Sequence, residues 1–164
     1  MKKSIKLTDS FIYDTHIPNT SNHEKKIKIF LVDDDTVFLK LLQHEFLQTE
    51  EYTVETYPTG EACLKDLSIN PDLIILDYHL DGIEPGVING LETLDKIKAY
   101  DPKIPVVMLS SQDKIEVAVN CMHHHASDYV VKSETAFLRL QKIIKSILSY
   151  RKMAIQLDWY MDRM

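Results

Sequence analysis

Acids at Asp33, Asp34 and Asp35, a further acid at Asp77, hydroxyls at Ser110 and Ser111 and a base at Lys132 share one feature of placement. Each closes an apolar run: IKIFLV before Asp33, LIIL before Asp77, VVML before Ser110 and YVV before Lys132. Adjacent carboxylates repel one another unless a cation or a buried proton relieves them. Mg²⁺ does so through one or two carboxylates and fills its remaining positions with water and phosphate oxygens. Clustered acids, one lysine and one hydroxyl would therefore suit Mg²⁺, or Mn²⁺ in its place, together with a phosphoryl group.

That chemistry requires the four runs to end at one point. They do so if they are parallel strands, because ligands bind beyond the carboxyl ends of an open parallel sheet, where strand order reverses. The periodicity supports this. Ile27–Val32 reads as a strand buried on both faces. Val37, Phe38, Leu41, Leu42, Glu45 and Phe46 follow a helical period, with Asp35 as the N-cap. Tyr52–Tyr57 is a second strand, followed by a helix through Cys63, Leu64 and Leu67. Leu73–Leu76 is a third strand, with a long loop from Tyr78 to Asn89 and a helix through Leu91, Leu94 and Ile97. Pro105–Leu109, a helix over Ile115–Met122 and a strand over Tyr129–Val131 come next. A last helix is expected to start near Ser133 or Glu134 and to run past Tyr150. Strands alternating with helices imply right-handed βαβ units with helices on both sheet faces. In the order 2-1-3-4-5 the first and third strands are neighbours, so Asp33, Asp34 and Asp77 meet at the switch point.

The bulk properties exclude several classes. A chain of 164 residues fits one domain with tails: an arm over 1–25, a body over 26–150 and a helical extension over 151–164. A formal charge of −6 argues against a direct nucleic-acid binder. The basic start MKKSIKLTDS lacks the apolar stretch of a signal peptide, and no run reaches the length of a membrane span, so a soluble, cytoplasmic chain is expected. Cys63 and Cys121 sit in helical patterns and read as reduced, buried thiols. Phe11–Tyr13 is a candidate ordered piece within the arm. The apolar tail, with Ile155, Leu157, Trp159, Tyr160 and Met161, reads as a contact for a partner or a homodimer.

Taken in order, LVDDD at 31–35, LIILD at 73–77, VVMLSS at 106–111 and ASDYVVK at 126–132 resemble the receiver domain of two-component response regulators. The resemblance covers roughly 27–150 and implies a flavodoxin-like (βα)5 sandwich. It also implies a single-domain phosphoacceptor switch rather than a multiple-turnover enzyme. By that resemblance Asp77 accepts the phosphoryl group, Asp34 binds the metal, Asp33 holds water on it, and the backbone carbonyl of His79 completes the set. Ser110, with Ser111 beside it, supplies the switch hydroxyl, Lys132 pairs with the phosphoryl group, and Tyr129 is the aromatic that changes rotamer. The implied donors are a sensor histidine kinase or a histidine phosphotransfer protein. The output is a protein partner at the face of the fourth helix, fifth strand and fifth helix.

The sequence departs from this pattern in two places. Ser133 follows Lys132 where relatives carry proline, and a cis bond without proline costs ~2.5–4 kcal/mol, so a trans bond is expected there. The segment from Asp77 to Gly90 is also longer than usual, by residues within 81–90. His79 and Gln112, each two residues beyond a strand-end group, are expected to tune dephosphorylation. His123–His125 read as a helix end, with His125 suited to a left-handed backbone. Two other classes compete: a receiver-like interaction module that is never phosphorylated, and a phosphatase with an Asp nucleophile. The latter usually needs an acid two residues after the nucleophile, where this chain has His79.

Overall fold

The computed structural model describes residues 25–80 and 86–164. Expectations for 1–24, including Phe11–Tyr13, and for 81–85 of the long loop fall outside the described residues. Strands β1 (Ile27–Val32), β2 (Tyr52–Tyr57), β3 (Leu73–Asp77), β4 (Val106–Ser110) and β5 (Asp128–Val131) alternate with five helices. These are α1 (Thr36–Leu47), α2 (Gly60–Lys65), α3 (Gly90–Tyr100), α4 (Ile115–His123) and α5 (Ala136–Met161). All neighbouring strands are parallel and their order is β2-β1-β3-β4-β5, the flavodoxin-like arrangement.

Side chains alternate across a strand, so each apolar run feeds two cores. Phe30, Val32, Ile74, Leu76, Val106 and Met108 pack on one face with Leu94, Ile97, Val117 and Cys121 of α3 and α4. Ile29, Leu31, Leu73, Ile75, Val107 and Leu109 pack on the other with Leu39, Leu42 and Phe46 of α1 and Leu140 and Ile144 of α5. Cys63 and Cys121 are buried free thiols, and burial pushes Cys63 up to about 12 and Cys121 up to about 11.

Three expectations need correction. Val37 and Leu41 point to solvent, at 68% and 58% exposure, and Leu39 takes the core position on α1 instead. The helix after β2 ends at Lys65, and Leu67 belongs to a single 3-10 turn closed by Asn70 in the left-handed region. α5 begins at Ala136 rather than Ser133 or Glu134, because Ser133–Thr135 form a turn in which Ala136 N–H reaches the Ser133 carbonyl at 3.0 Å. At the end of α4, His125 takes the left-handed backbone expected of it, at φ 67°. Its N–H and that of Ala126 satisfy the Met122 and Cys121 carbonyls, as in a Schellman cap.

α3 opens directly behind the end of β3. Asn89 and Glu92 form a reciprocal capping box there. Gly90 makes the approach possible: a Cβ on it would lie 2.2 Å from the Asp77 carbonyl and 2.6 Å from that of Tyr78. Both obstacles are backbone, so α3 or the end of β3 must move. Gly90→Ala is expected to lower stability by about 1–3 kcal/mol, the range for overpacking. A urea melt that leaves the midpoint unchanged would remove this account of the contact.

Candidate functional site

The strand ends are fixed by bonds beyond the ladders. Asp33 N–H donates to the Tyr57 carbonyl at 3.0 Å, Tyr78 N–H to Leu109 at 2.7 Å and Lys132 N–H to Ser110 at 2.8 Å. That last bond ties the end of β5 to β4, and the Lys132–Ser133 peptide is trans. Asp35 takes the expected cap, its Oδ1 accepting from Val37 N–H and Phe38 N–H, which points α1 away from the neighbouring acids.

Among the described residues, one group of acids is suited to a metal: Asp33, Asp34 and Asp77 each bring a carboxylate oxygen within 4.8 Å of the others. Asp33 and Asp77 are buried and Asp34 is exposed. The Lys132 ammonium sits 2.7 Å from Asp33 Oδ2 and 3.3 Å from Asp77 Oδ1. One ammonium against three carboxylates leaves an excess of two negative charges, which a divalent cation would balance. All-oxygen donors and a span that direct and water-mediated coordination can cover fit Mg²⁺.

The electrostatics carry the same imbalance. Burial, and then the charge of Asp33, push the Asp77 carboxyl up to about 6, against the opposing effects of Lys132 and the His79 N–H. Asp33 is also raised, by burial first, with Lys132 opposing. Burial works against charge on Lys132, but the hydrogen bond and charge of Asp33, with Asp77 behind them, leave it above the usual lysine value.

Ser110 is fully buried one residue past Leu109, the register partner of Asp77. Its Oγ accepts from Gln112 N–H at 3.0 Å. Ser111 is exposed, on the solvent side of the same turn. The Tyr129 hydroxyl donates to the Gln112 carbonyl, and the ring is already buried, at 8% exposure. Ser110, the loop after β4 and the ring on β5 thus form one chain of contacts. The His79 N–H bonds to Asp77, and Gln112 bonds to Ser110 through its N–H and to Tyr129 through its carbonyl.

A sequence model of the response regulator receiver domain matches residues 29–145, most of the chain. The chain belongs to the response regulator receiver domain family. A Bacillus subtilis protein-glutamate methylesterase/protein-glutamine glutaminase is 37% identical over 126 residues, covering 72% of this chain and 33% of that protein. The nitrogen assimilation regulatory protein NtrX of Azorhizobium caulinodans is 35% identical over 105 residues, covering 63% of this chain and 22% of its own length. The chain therefore spans a third or less of these two relatives, and what it shares with them is the receiver. A solved CheY-like receiver domain protein from Methanospirillum hungatei is similar in fold, with a TM-score of 0.64 and 25% identity, covering 79% of this chain and 99% of that one.

Within this receiver, sequence reasoning missed Phe38. Its ring lies 4.8 Å from the Lys132 ammonium, so the lysine rests between two acids and an aromatic face. The sequence signal was present, since Phe38 lies three residues after the Asp35 cap, in the first turn of α1, but a helical period assigns it to packing alone. Exposed cation–π pairs contribute about 0.5–1 kcal/mol and desolvated ones about 2. A double-mutant cycle of Phe38→Leu with Lys132→Met is expected to show a coupling of about 1 kcal/mol in urea melts. Strict additivity would show that the ring only packs.

The His124 ring pairs with Asp95 at 2.7 Å, joining α4 to α3, while His125 serves the helix cap. No helix among the described residues is long and apolar enough to cross a membrane.

Proposed function

We propose that this receiver is a phosphoacceptor switch in a two-component or phosphorelay system, with Asp77 as the acceptor. The observation that carries the reading is the burial of Asp77 at the sheet's switch point, with Lys132 and two further acids around it. The donor would be a phosphohistidine of a sensor kinase or of a histidine phosphotransfer protein. An Asp77 oxygen attacks the phosphorus, the P–N bond breaks, and the imidazole leaves with a proton from solvent. Such transfer depends on positioning and charge neutralisation more than on covalent machinery.

Asp33, Asp34, Asp77 and the His79 carbonyl would hold Mg²⁺ or Mn²⁺, whose charge offsets that of the phosphoryl oxygens. Lys132 is already in contact with Asp77 and supplies a second cation there. Ser110 Oγ accepts from Gln112, which leaves its own O–H to donate to a phosphoryl oxygen. Through Gln112 that bond reaches Tyr129, on the face made by α4, β5 and α5 where a downstream protein would bind. The phosphoryl group would favour the tethered, inward Tyr129 over an outward one, a population shift set by differential contacts. His79 and Gln112, two residues beyond Asp77 and Ser110, would tune dephosphorylation through their side chains.

The test is incubation of the full chain with a small-molecule phosphodonor, with and without Mg²⁺, read by intact mass. A Mg²⁺-dependent gain of one phosphoryl group supports the reading. No gain under any condition would favour an interaction module that is never phosphorylated, and multiple-turnover phosphate release from esters would favour an enzyme.

A further inference from the structure

Every residue of the last turns of α5 and the segment after it, from Ser149 to Met164, is exposed, although the helix continues unbroken to Met161. Helices of this length without tertiary packing are marginal in water. The body holds one side of α5: Ala136, Leu140 and Ile144 are buried, Ile147 and Leu148 pack against them, and Arg151 donates to the Asp72 carbonyl at 3.1 Å. Round the helix from that side runs an apolar stripe of Tyr150, Met153, Leu157 and Tyr160, exposed by 75%, 65%, 60% and 63%. Their spacing is three, four, three, and Met164 continues it by four in the turn beyond the helix. This is the a/d spacing of a coiled-coil seam, with the exposed Ile155, Trp159 and Met161 lying off it.

We propose that the stripe pairs in parallel with the same stripe of a second copy of this chain. Of the flanking e and g positions, Ser149, Ala154, Gln156 and Met161 carry no charge, and the guanidinium of Arg163, at the last g, lies over the Trp159 ring of its own helix at 3.7 Å. Arg151, Lys152 and Asp158 fall at the outer b and c positions. Tyr150 borders the groove between α5 and Pro102, Pro105 and Ser127 of the body, while Met153, Leu157 and Tyr160 lie outside it. Covering about 100 Å² on each of ten side chains buries roughly 1,000 Å² in all, at the low end for a specific interface. The dimer is therefore weak and concentration-dependent. The pairing does not rest on the phosphoryl chemistry of the site.

Sedimentation equilibrium of the full chain across micromolar to near-millimolar concentrations tests this. The average mass is expected to climb toward two chains, and Leu157→Asp to weaken association at least about tenfold, as loss of a central buried leucine should. Ile155→Asp, at an exposed position off the stripe, leaves association within about twofold; its failure to do so overturns the assignment to the stripe. For direction, Met153→Cys with copper phenanthroline as oxidant should give a disulfide-linked dimer, since like d positions meet in a parallel pair. Cys63 and Cys121, both buried, give no background. Cross-linking only in a mixture of Met153→Cys and Leu157→Cys, a d and an a position that meet in an antiparallel pair, would overturn the parallel arrangement. A chain monomeric at every concentration overturns the proposal and assigns the stripe to a different protein or, if its amides are protected from exchange, to its own body. A mass above two chains also overturns it.

Discussion

Asp77→Asn is expected to abolish phosphoryl incorporation and, at the same time, to stabilise the metal-free chain at neutral pH. The two effects come from one side chain. As the proposed acceptor, Asp77 supplies the attacking oxygen, and an amide cannot replace it. As a buried group, however, its charge is unfavourable to the fold. Burial and Asp33 together raise it from an ordinary 3.8 to about 6. The folded state therefore holds a proton on Asp77 between those values while the unfolded state does not.

The sign of the pH dependence follows. With more protons bound to the native state, stability is fully present below pH 3.8 and falls as pH rises through about 6. Above that range the accumulated loss is at most roughly 3 kcal/mol. Asn carries no charge at any pH, so the variant should lose the Asp77 part of this slope and keep the part from Asp33, whose carboxyl burial also raises. The gain at neutral pH is expected to be about 1–3 kcal/mol, because Lys132 still has Asp33 as a partner. Added Mg²⁺ should stabilise the wild-type chain more than the variant, since the ion answers a charge the variant lacks. Urea melts at pH 4, 6 and 8 check all three points. Equal melting of both proteins at pH 8 would show that the fold does not carry the Asp77 charge at a cost.

Much of this is legible in the sequence. Four apolar runs ending in acid, acid, hydroxyl and base required only parallel strands in one order to converge, and the 2-1-3-4-5 sheet has that order. Less legible was whatever depends on helix rotation or on backbone. Val37, Phe38, Leu41 and Leu42 all suit an amphipathic period, yet the core takes Leu39, Leu42 and Phe46. The first turn of α1 is aimed by the Asp35 cap, which leaves Val37 in solvent and Phe38 under Lys132. Gly90 read as a displaced spacing landmark, whereas its function in the fold is to admit the Asp77 and Tyr78 carbonyls. The absence of proline after Lys132 likewise says nothing of what fixes that residue, because the stabilising contacts lie elsewhere. Lys132 N–H on the Ser110 carbonyl and the Phe38 ring hold the lysine in place without it.

Lys132→Ala should therefore act on stability in the opposite sense to Asp77→Asn. Its ammonium is the cation in contact with both buried acids, at 2.7 Å from Asp33 and 3.3 Å from Asp77. Breaking a buried pair by removing one partner typically costs about 3–5 kcal/mol, since it leaves the other charge uncompensated. Here two acids are left, so the cost should fall in that range at neutral pH. It should shrink as pH falls toward about 6 and below, where protonation can discharge Asp77, which burial raises and which Lys132 no longer holds down. Mg²⁺ should recover more stability in this variant than in the wild type, because it supplies charge to the same oxygens. Combining the substitutions gives the sharper test. If Lys132 matters because Asp77 is charged, Asp77→Asn should cost the fold less and help it more once Lys132 is gone. The double variant should then be more stable than Lys132→Ala alone by more than Asp77→Asn gains in the wild type. Coupling energies between contacting residues run about 0.5–3 kcal/mol, which urea melts resolve. Plain additivity would mean that Lys132 is held by Asp33 alone, and that its contact with the proposed acceptor contributes nothing before phosphorylation.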